Sequence, residues 1–373
     1  MERSMKTKIL SHLKKDPVLY ASCLIAVISA FFVAPSAAYM GYIDWHVLGL
    51  LLALMLAVAG LKEVGVFDFL VERLLCLVHT TRTLTLTLVA VCFFSSMLIT
   101  NDVALITFVP LAVMLLTETG KEKLLIPVIV LQTVAANLGS MLTPMGNPQN
   151  LYLYSLFELS VGEFFSIMIL PAAVSLVLLV AASLLVKSEP IAPAERSGEG
   201  LNTKSALPWI TMFALCLLTV VHVLNIALVL GIVVVATLVL NRKLLKKADY
   251  ALLLTFIFFF IFIGNMKSIP AVSEALSALV AGREMTVGIL LSQVISNVPA
   301  AMLLSGFTAE YAPLLVGVNL GGLGTIIASM ASLISYKLYA AQPSAKAGKY
   351  MGVFTVVNVL FLAVLWLLMA LVG

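Results

Sequence analysis

The chain has 373 residues, of which 62% are hydrophobic and 11% charged, with a net charge of +4. Soluble domains carry about 25% charged residues, so this composition and a mean hydropathy of +1.13 exclude a water-soluble protein. The basic residues are scattered through loops and give no nucleic-acid signal; the partner that the composition implies is a lipid bilayer. Cys23, Cys76, Cys92 and Cys216 lie in or beside apolar runs at no ligand spacing and read as small packing residues, with no cofactor.

In chain order, the polar stretch 1–16 reads as a cytoplasmic tail without a cleavage site. Apolar runs long enough to span about 30 Å of hydrocarbon follow near 17–35 and 47–61. The amphipathic stretch 63–80 is placed along the interface. The apolar stretch 84–118 breaks at Asn101 into short halves and is predicted to be a re-entrant hairpin with its tip at mid-membrane. A span at 124–158, interrupted between Gly139 and Asn150, and a span at 163–187 complete a first unit, 17–187. The polar stretch 188–206 is the linker and 207–223 a connecting span. The second unit, 224–373, holds spans at 224–240 and 251–264 and an interfacial stretch at 267–283. A hairpin at 285–306 broken at Asn297, an interrupted span at 312–335 and a last span at 350–372 follow.

Charge tests this layout. With both hairpins returning to their starting side, every Lys and Arg except Lys267 and Arg283 falls on the cytoplasmic side, as positive-inside topology requires. The expectation is a multi-pass protein of the inner (plasma) membrane with its N-terminus in the cytoplasm and its C-terminus outside. The connecting span makes the two units start from opposite faces. The predicted fold is therefore an all-α polytopic membrane protein of inverted structural repeats, with two re-entrant hairpins and two broken transmembrane helices.

The repeats share polar breaks. Ser96-Met97-Leu98-Ile99-Thr100-Asn101 returns as Ser292-Gln293-Val294-Ile295-Ser296-Asn297, and Asn137-Leu138-Gly139 with Thr143 returns as Asn319-Leu320-Gly321 with Thr325. Such breaks at matching positions of two membrane-embedded halves point to a transporter's binding site. At each tip Asn101 or Asn297 can cap the second half-helix, whose free N–H groups attract an anion. The Ser96 and Ser292 hydroxyls, with nearby carbonyls, offer hard oxygen ligands for a Na+ ion at the tips. In the interrupted spans, Gly146, Asn147, Pro144 and Pro148 break helical hydrogen bonding on one side and glycines do so on the other. Asp102 has Val298 as its counterpart, and an ionisable group at that depth reads as a coupling residue, with a helix cap as the alternative.

Thr100-Asn101-Asp102 before an apolar helix, followed by Gly146-Asn147-Pro148-Gln149-Asn150-Leu151, resembles the arsenite-permease and NhaD-type antiporter branch of the ion transporter superfamily. That superfamily includes citrate-type permeases and divalent anion/sodium symporters. The resemblance implies a homodimer in which a transport part moves against a scaffold in an elevator-like cycle. It makes Ser96, Thr100, Asn101, Ser292, Ser296 and Asn297 ion or substrate contacts, with Thr143 and Thr325 from the broken spans. Here Asp102 stands where those symporters have Thr, which brings in proton coupling beside Na+ coupling.

The reading that follows is a secondary active transporter, not an enzyme, for a small anion such as a carboxylate, coupled to Na+ or H+. Its predicted substrate residues are Thr100, Asn101, Asp102, Thr143, Gly146, Asn147, Ser296, Asn297 and Thr325. Its predicted ion-coupling residues are Ser96, Asn101, Asp102, Asn137, Gly139, Ser292, Asn297 and Asn319. Arsenite or antimonite efflux and Na+/H+ exchange are the alternatives within transport, and an intramembrane enzyme is the rival of another class. Against that rival, the four histidines lie near segment ends and no H-E-x-x-H sequence occurs.

Overall fold

The computed structural model describes residues 17–75, 78–191 and 200–372. The predicted tail 1–16, the middle of the linker at 192–199 and Cys76 lie outside the described residues. The described chain is helical throughout. The first helices are α1 (Pro17–Ala30), α2 (Ala38–Tyr42), α3 (Trp45–Glu63), α4 (Val66–Leu75), α5 (Thr81–Ile99) and α6 (Asn101–Glu118). They are followed by α7 (Leu125–Ser140), α8 (Pro148–Leu156), α9 (Val161–Leu184), α10 (Thr203–Val220), α11 (Ile226–Asn241) and α12 (Tyr250–Lys267). The last are α13 (Pro270–Val280), α14 (Glu284–Ile295), α15 (Asn297–Ser305), α16 (Tyr311–Leu320), α17 (Met330–Ala340) and α18 (Ala347–Val372).

Among the described residues, 9 helices are long and apolar enough to cross a membrane. They are not the expected set. The first apolar run yields only the 14 residues of α1, which stops at Ala30, before Pro35. The interrupted run 312–335 resolves into α16, with 10 residues, and α17, with 11. In the opposite direction, α5 and α6 have 19 and 18 residues, about 28 Å each at 1.5 Å per residue, rather than the shorter halves expected. The polar residues Thr81-Arg82-Thr83 are helical because Thr80 and Thr83 form a capping box, which adds a turn that hydropathy does not register.

Both stretches double back. Thr81 donates to the Lys187 carbonyl and Arg82 to the Val186 carbonyl, while Lys121, just beyond α6, pairs with Glu189 at 2.6 Å. The start of α5 and the end of α6 therefore meet at one place, with Thr100 at the far end. In the second half, the Thr308 hydroxyl donates to Glu284 at 3.1 Å and joins the beginning of α14 to the end of α15. These two helices have 12 and 9 residues, too short to cross. Helix α13 joins α14 at a 106° bend.

The most enclosed span is α7, whose faces are buried on all sides by α5, α6, α9, α17 and α18. Helix α9, of 24 residues, connects the two ends of the molecule. Its last turn approaches the Lys121–Glu189 pair, whereas its first follows Phe157, which packs on Tyr311 at 5.7 Å between ring centroids. Glu163 and Glu310 thus share the end opposite Lys121. Single cysteines at Glu163 and Glu310 should react with an impermeant maleimide added outside intact cells, and one at Lys121 only after permeabilisation. Outside labelling at Lys121 contradicts this orientation.

Candidate functional site

The two polar breaks adopt one geometry. Thr100 and Ser296, the residues before α6 and α15, have φ of 70° and 75° with ψ of 152° and 155°. This region is nearly exclusive to glycine, and holding another residue there costs about 1–3 kcal/mol. Next to each, Asn101 Oδ1 accepts from the Asp102 amide at 2.9 Å, and Asn297 Oδ1 from the Val298 amide at 3.0 Å. Thr143 donates to the Met97 carbonyl, and Thr325 to the Gln293 carbonyl at 3.1 Å. Gly139 and Gly321 lie against the two hairpins at equivalent points. A Cβ on Gly139 would stand 2.1 Å from the Phe93 carbonyl, and one on Gly321 2.5 Å from the Ser292 hydroxyl.

The halves then exchange hydrogen bonds. Asn137 Oδ1 accepts from Asn101 at 3.1 Å and from Ser329 at 3.0 Å, and its Nδ2 donates to Ser332 at 3.3 Å. Asn319, its counterpart, donates to Asn150 Oδ1 at 2.6 Å and accepts from Asn147 at 3.2 Å. Asn147 and Asn150 stand as far beyond Asn137 in sequence as Ser329 and Ser332 stand beyond Asn319. Each asparagine is thus bound by the segment that follows its counterpart.

These contacts bring four helix starts to one small cavity of about 70 Å³, which the starts of α1 and α12 line as well. Asn101 and Asp102 begin α6, Pro148 and Gln149 begin α8, Asn297 to Pro299 begin α15, and Ser329 and Met330 begin α17. The first four N–H groups of a helix have no partner within it, and each helix start carries about half a positive charge. Among the described residues, no Lys or Arg lines the cavity. Asp102 lies on its wall, and its Oδ1 is buried without a hydrogen-bond partner. A larger cavity of about 930 Å³ shares Asp102, Pro148, Asp249, Leu252 and Met330 with it. This outer cavity runs along α3 from Leu51 to exposed Glu63, and also reaches Lys62, Asp68 and Lys247. Lys247 is paired with Glu63.

Of the residues expected to form the site, Asn101, Asp102, Ser296 and Asn297 line the inner cavity, and Thr100, Asp102 and Asn147 the outer one. The rest line neither. Ser96 and Ser292 return their hydroxyls to the Phe93 and Gly288 carbonyls of their own helices. Asn137, Gly139, Thr143, Gly146 and Asn319 are buried in the frame behind the cavity, and Thr325 is exposed. Four polar residues lining the inner cavity were not anticipated: Gln149, Asp249, Thr255 and Ser329. Gln149 has a signal in hindsight, as a polar side chain one residue after a helix-starting proline. Asp249 follows Lys246-Lys247-Ala248 and looks like part of a solvated loop.

The comparisons with known proteins agree in kind. A family model described as citrate transporter matches residues 13–335. An uncharacterized transporter of Methanocaldococcus jannaschii, MJ0456, is 32% identical over 87% of this chain and 88% of its own length. The inner membrane protein YbiR of Escherichia coli is 32% identical over 90% of this chain and 91% of its own. A 46 kDa membrane protein of Mycobacterium leprae is 25% identical over 72% of this chain and 69% of its own.

The close approach at Gly139 is testable by stability alone. Gly139→Ala should destabilise the purified protein by about 1–3 kcal/mol, because the added methyl meets backbone that has no room to yield. Gly231→Ala, at a helical glycine with nothing within 4 Å, should not destabilise it. Thermal unfolding in detergent reads both.

Proposed function

The chain belongs to the citrate transporter family, and on that premise we propose that it is a secondary active transporter of a small carboxylate anion, coupled to H+ or Na+. The observation that carries the proposal is the convergence of helix starts, four of them from the polar breaks, on a cavity that no basic side chain lines among the described residues. Helix starts bind carboxylates through backbone N–H groups, and the dipoles favour negative charge there.

Asp102 supplies the coupling. An ionised Asp102 repels the incoming anion, and a proton or a cation on it removes its part of that repulsion, to which Asp249 in the same lining adds. Anion and coupling ion therefore favour one another's binding, which by linkage is reciprocal. Asn101 and Asn297 orient the two tips, and the outer cavity is the route from the cytoplasm to the site. The paired geometry of the breaks supports inverted repeats, re-entrant tips and alternating access by an elevator-like movement. The partner hydrogen bonds between the halves would then be remade in the second state.

Uptake into proteoliposomes of citrate, succinate, malate and sulfate under imposed pH and sodium gradients tests the substrate and the coupling ion. Stimulation of carboxylate uptake by one gradient is expected; uptake of none of them overturns the proposal. Asp102→Asn separates the possible roles of the carboxylate. With proton coupling, gradient-driven uptake should fall at least about 10-fold while anion exchange persists, and the pH dependence should vanish. With Na+ coupling, the same variant should need far more sodium and keep its pH dependence. Unchanged driven uptake with lower thermal stability would reduce Asp102 to a helix cap.

A further inference from the structure

Gln149 is the one cavity-lining side chain that is almost fully enclosed and wholly unsatisfied among the described residues. It is 1% exposed, and neither its Nε2 nor its Oε1 has a hydrogen-bond partner. The adjacent amides are committed. Asn147 bonds Ser140 and Asn319, and Asn150 reaches the carbonyls of Ser140, Met141 and Thr143. Gln149 instead lines the inner cavity, from the first turn of α8.

A buried polar group without a partner is costly, at roughly 1–3 kcal/mol each. A folded protein keeps such a group where a ligand completes it. The chemistry of the missing partner follows from the amide. Nε2–H needs an acceptor and Oε1 needs a donor. A fully ionised carboxylate offers acceptors only. A hydroxyl beside a carboxylate offers both, and the cavity of about 70 Å³ has room for one such polar group, since a water occupies about 30 Å³.

We propose that Gln149 is a specificity-determining residue of this site, its Nε2 donating to an oxygen of the transported anion and its Oε1 accepting an O–H from the same molecule. This inference rests on the carboxylate-transport reading. It assigns to Gln149 a selective role that Asp102 does not have. Asp102 governs whether an anion enters with its coupling ion, whereas Gln149 governs which anion is preferred.

Two substrate pairs that differ by one hydroxyl test it: malate against succinate, and citrate against propane-1,2,3-tricarboxylate. Initial uptake rates into proteoliposomes are measured for wild type, Gln149→Leu and Gln149→Glu, each checked for thermal stability in detergent. Wild type should prefer the hydroxylated member of at least one pair by roughly 5- to 150-fold in kcat/KM, the factor that corresponds to one unsatisfied buried group. Gln149→Leu should bring that ratio to within about two-fold without loss of thermal stability, because in the empty site the amide it removes bonds nothing. Gln149→Glu keeps an acceptor but adds charge, and should lower uptake of every anion.

Retention of the preference by Gln149→Leu overturns the proposal, as does a wild type that transports both members of each pair equally. A Gln149→Leu protein that is less stable yet equally selective makes the residue structural and also overturns it. Each of these outcomes leaves carboxylate transport standing. Uptake of none of the four anions by wild type overturns the underlying reading, and this proposal with it.

Discussion

A backbone that leaves the helix inside a bilayer must find its hydrogen bonds within the protein, because lipid offers none. Asn150, which donates to the Ser140, Met141 and Thr143 carbonyls, and Gln293, which donates to those of Gly321 and Leu323, meet that constraint, and the two breaks are tied together through Asn137 and Asn319. Each of the latter two sits where one half's helix stops and bonds to the first turn beyond the other half's break. Helix starts are thereby pinned facing one another rather than facing lipid. The chemistry of the cavity follows from this pinning: its polarity without basic residues among those described, its small inner volume, and the placing of Asp102 and Gln149 at its wall.

Low tolerance at the crossing point is a second consequence. Gly139 lets α7 press against α5 where a methyl group would overlap the Phe93 carbonyl, and Gly321 does the same beside Ser292. Close approach there brings Thr143 within reach of the Met97 carbonyl and Thr325 within reach of that of Gln293. The hairpins are thus clamped at their tips by side chains and left to pack through apolar contacts elsewhere. The strained backbone at Thr100 and Ser296 lies inside that clamp, where the surroundings over-determine it.

Much of this was legible in the residues, and the failures have identifiable causes. The all-helical membrane class follows from hydropathy, and the breaks at Asn101, Asn297, Gly139 and Gly321 follow from polar and small residues in apolar surroundings. Helix lengths were misjudged where a local signal outranked hydropathy. The capping box at Thr80 extends α5, whereas α1 stops at Ala30 within its apolar run. Site residues were named from repeat position, which does not say where a side chain points. Ser96 and Ser292 turn back onto their own helices, as hydroxyls in helices commonly do. The positive φ of Thr100 and Ser296 was beyond reach, because nothing in Thr or Ser announces a conformation that only glycine adopts freely.

That no basic side chain lines the inner cavity among the described residues also bears on how membrane voltage acts on the protein. A site lined by arginine would drag an integer charge through the field on each empty return. Helix dipoles bring a positive potential to an anion but carry no net charge with them. If the two tips move as a unit, they carry at most the single charge of Asp102, because the other carboxylate of the lining, Asp249, stands at the start of α12. One elementary charge crossing the full field is worth about 2.3 kcal/mol per 100 mV. An empty carrier with Asp102 neutral would be indifferent to the membrane potential. With Asp102 ionised, an interior-negative potential would hold it facing outward.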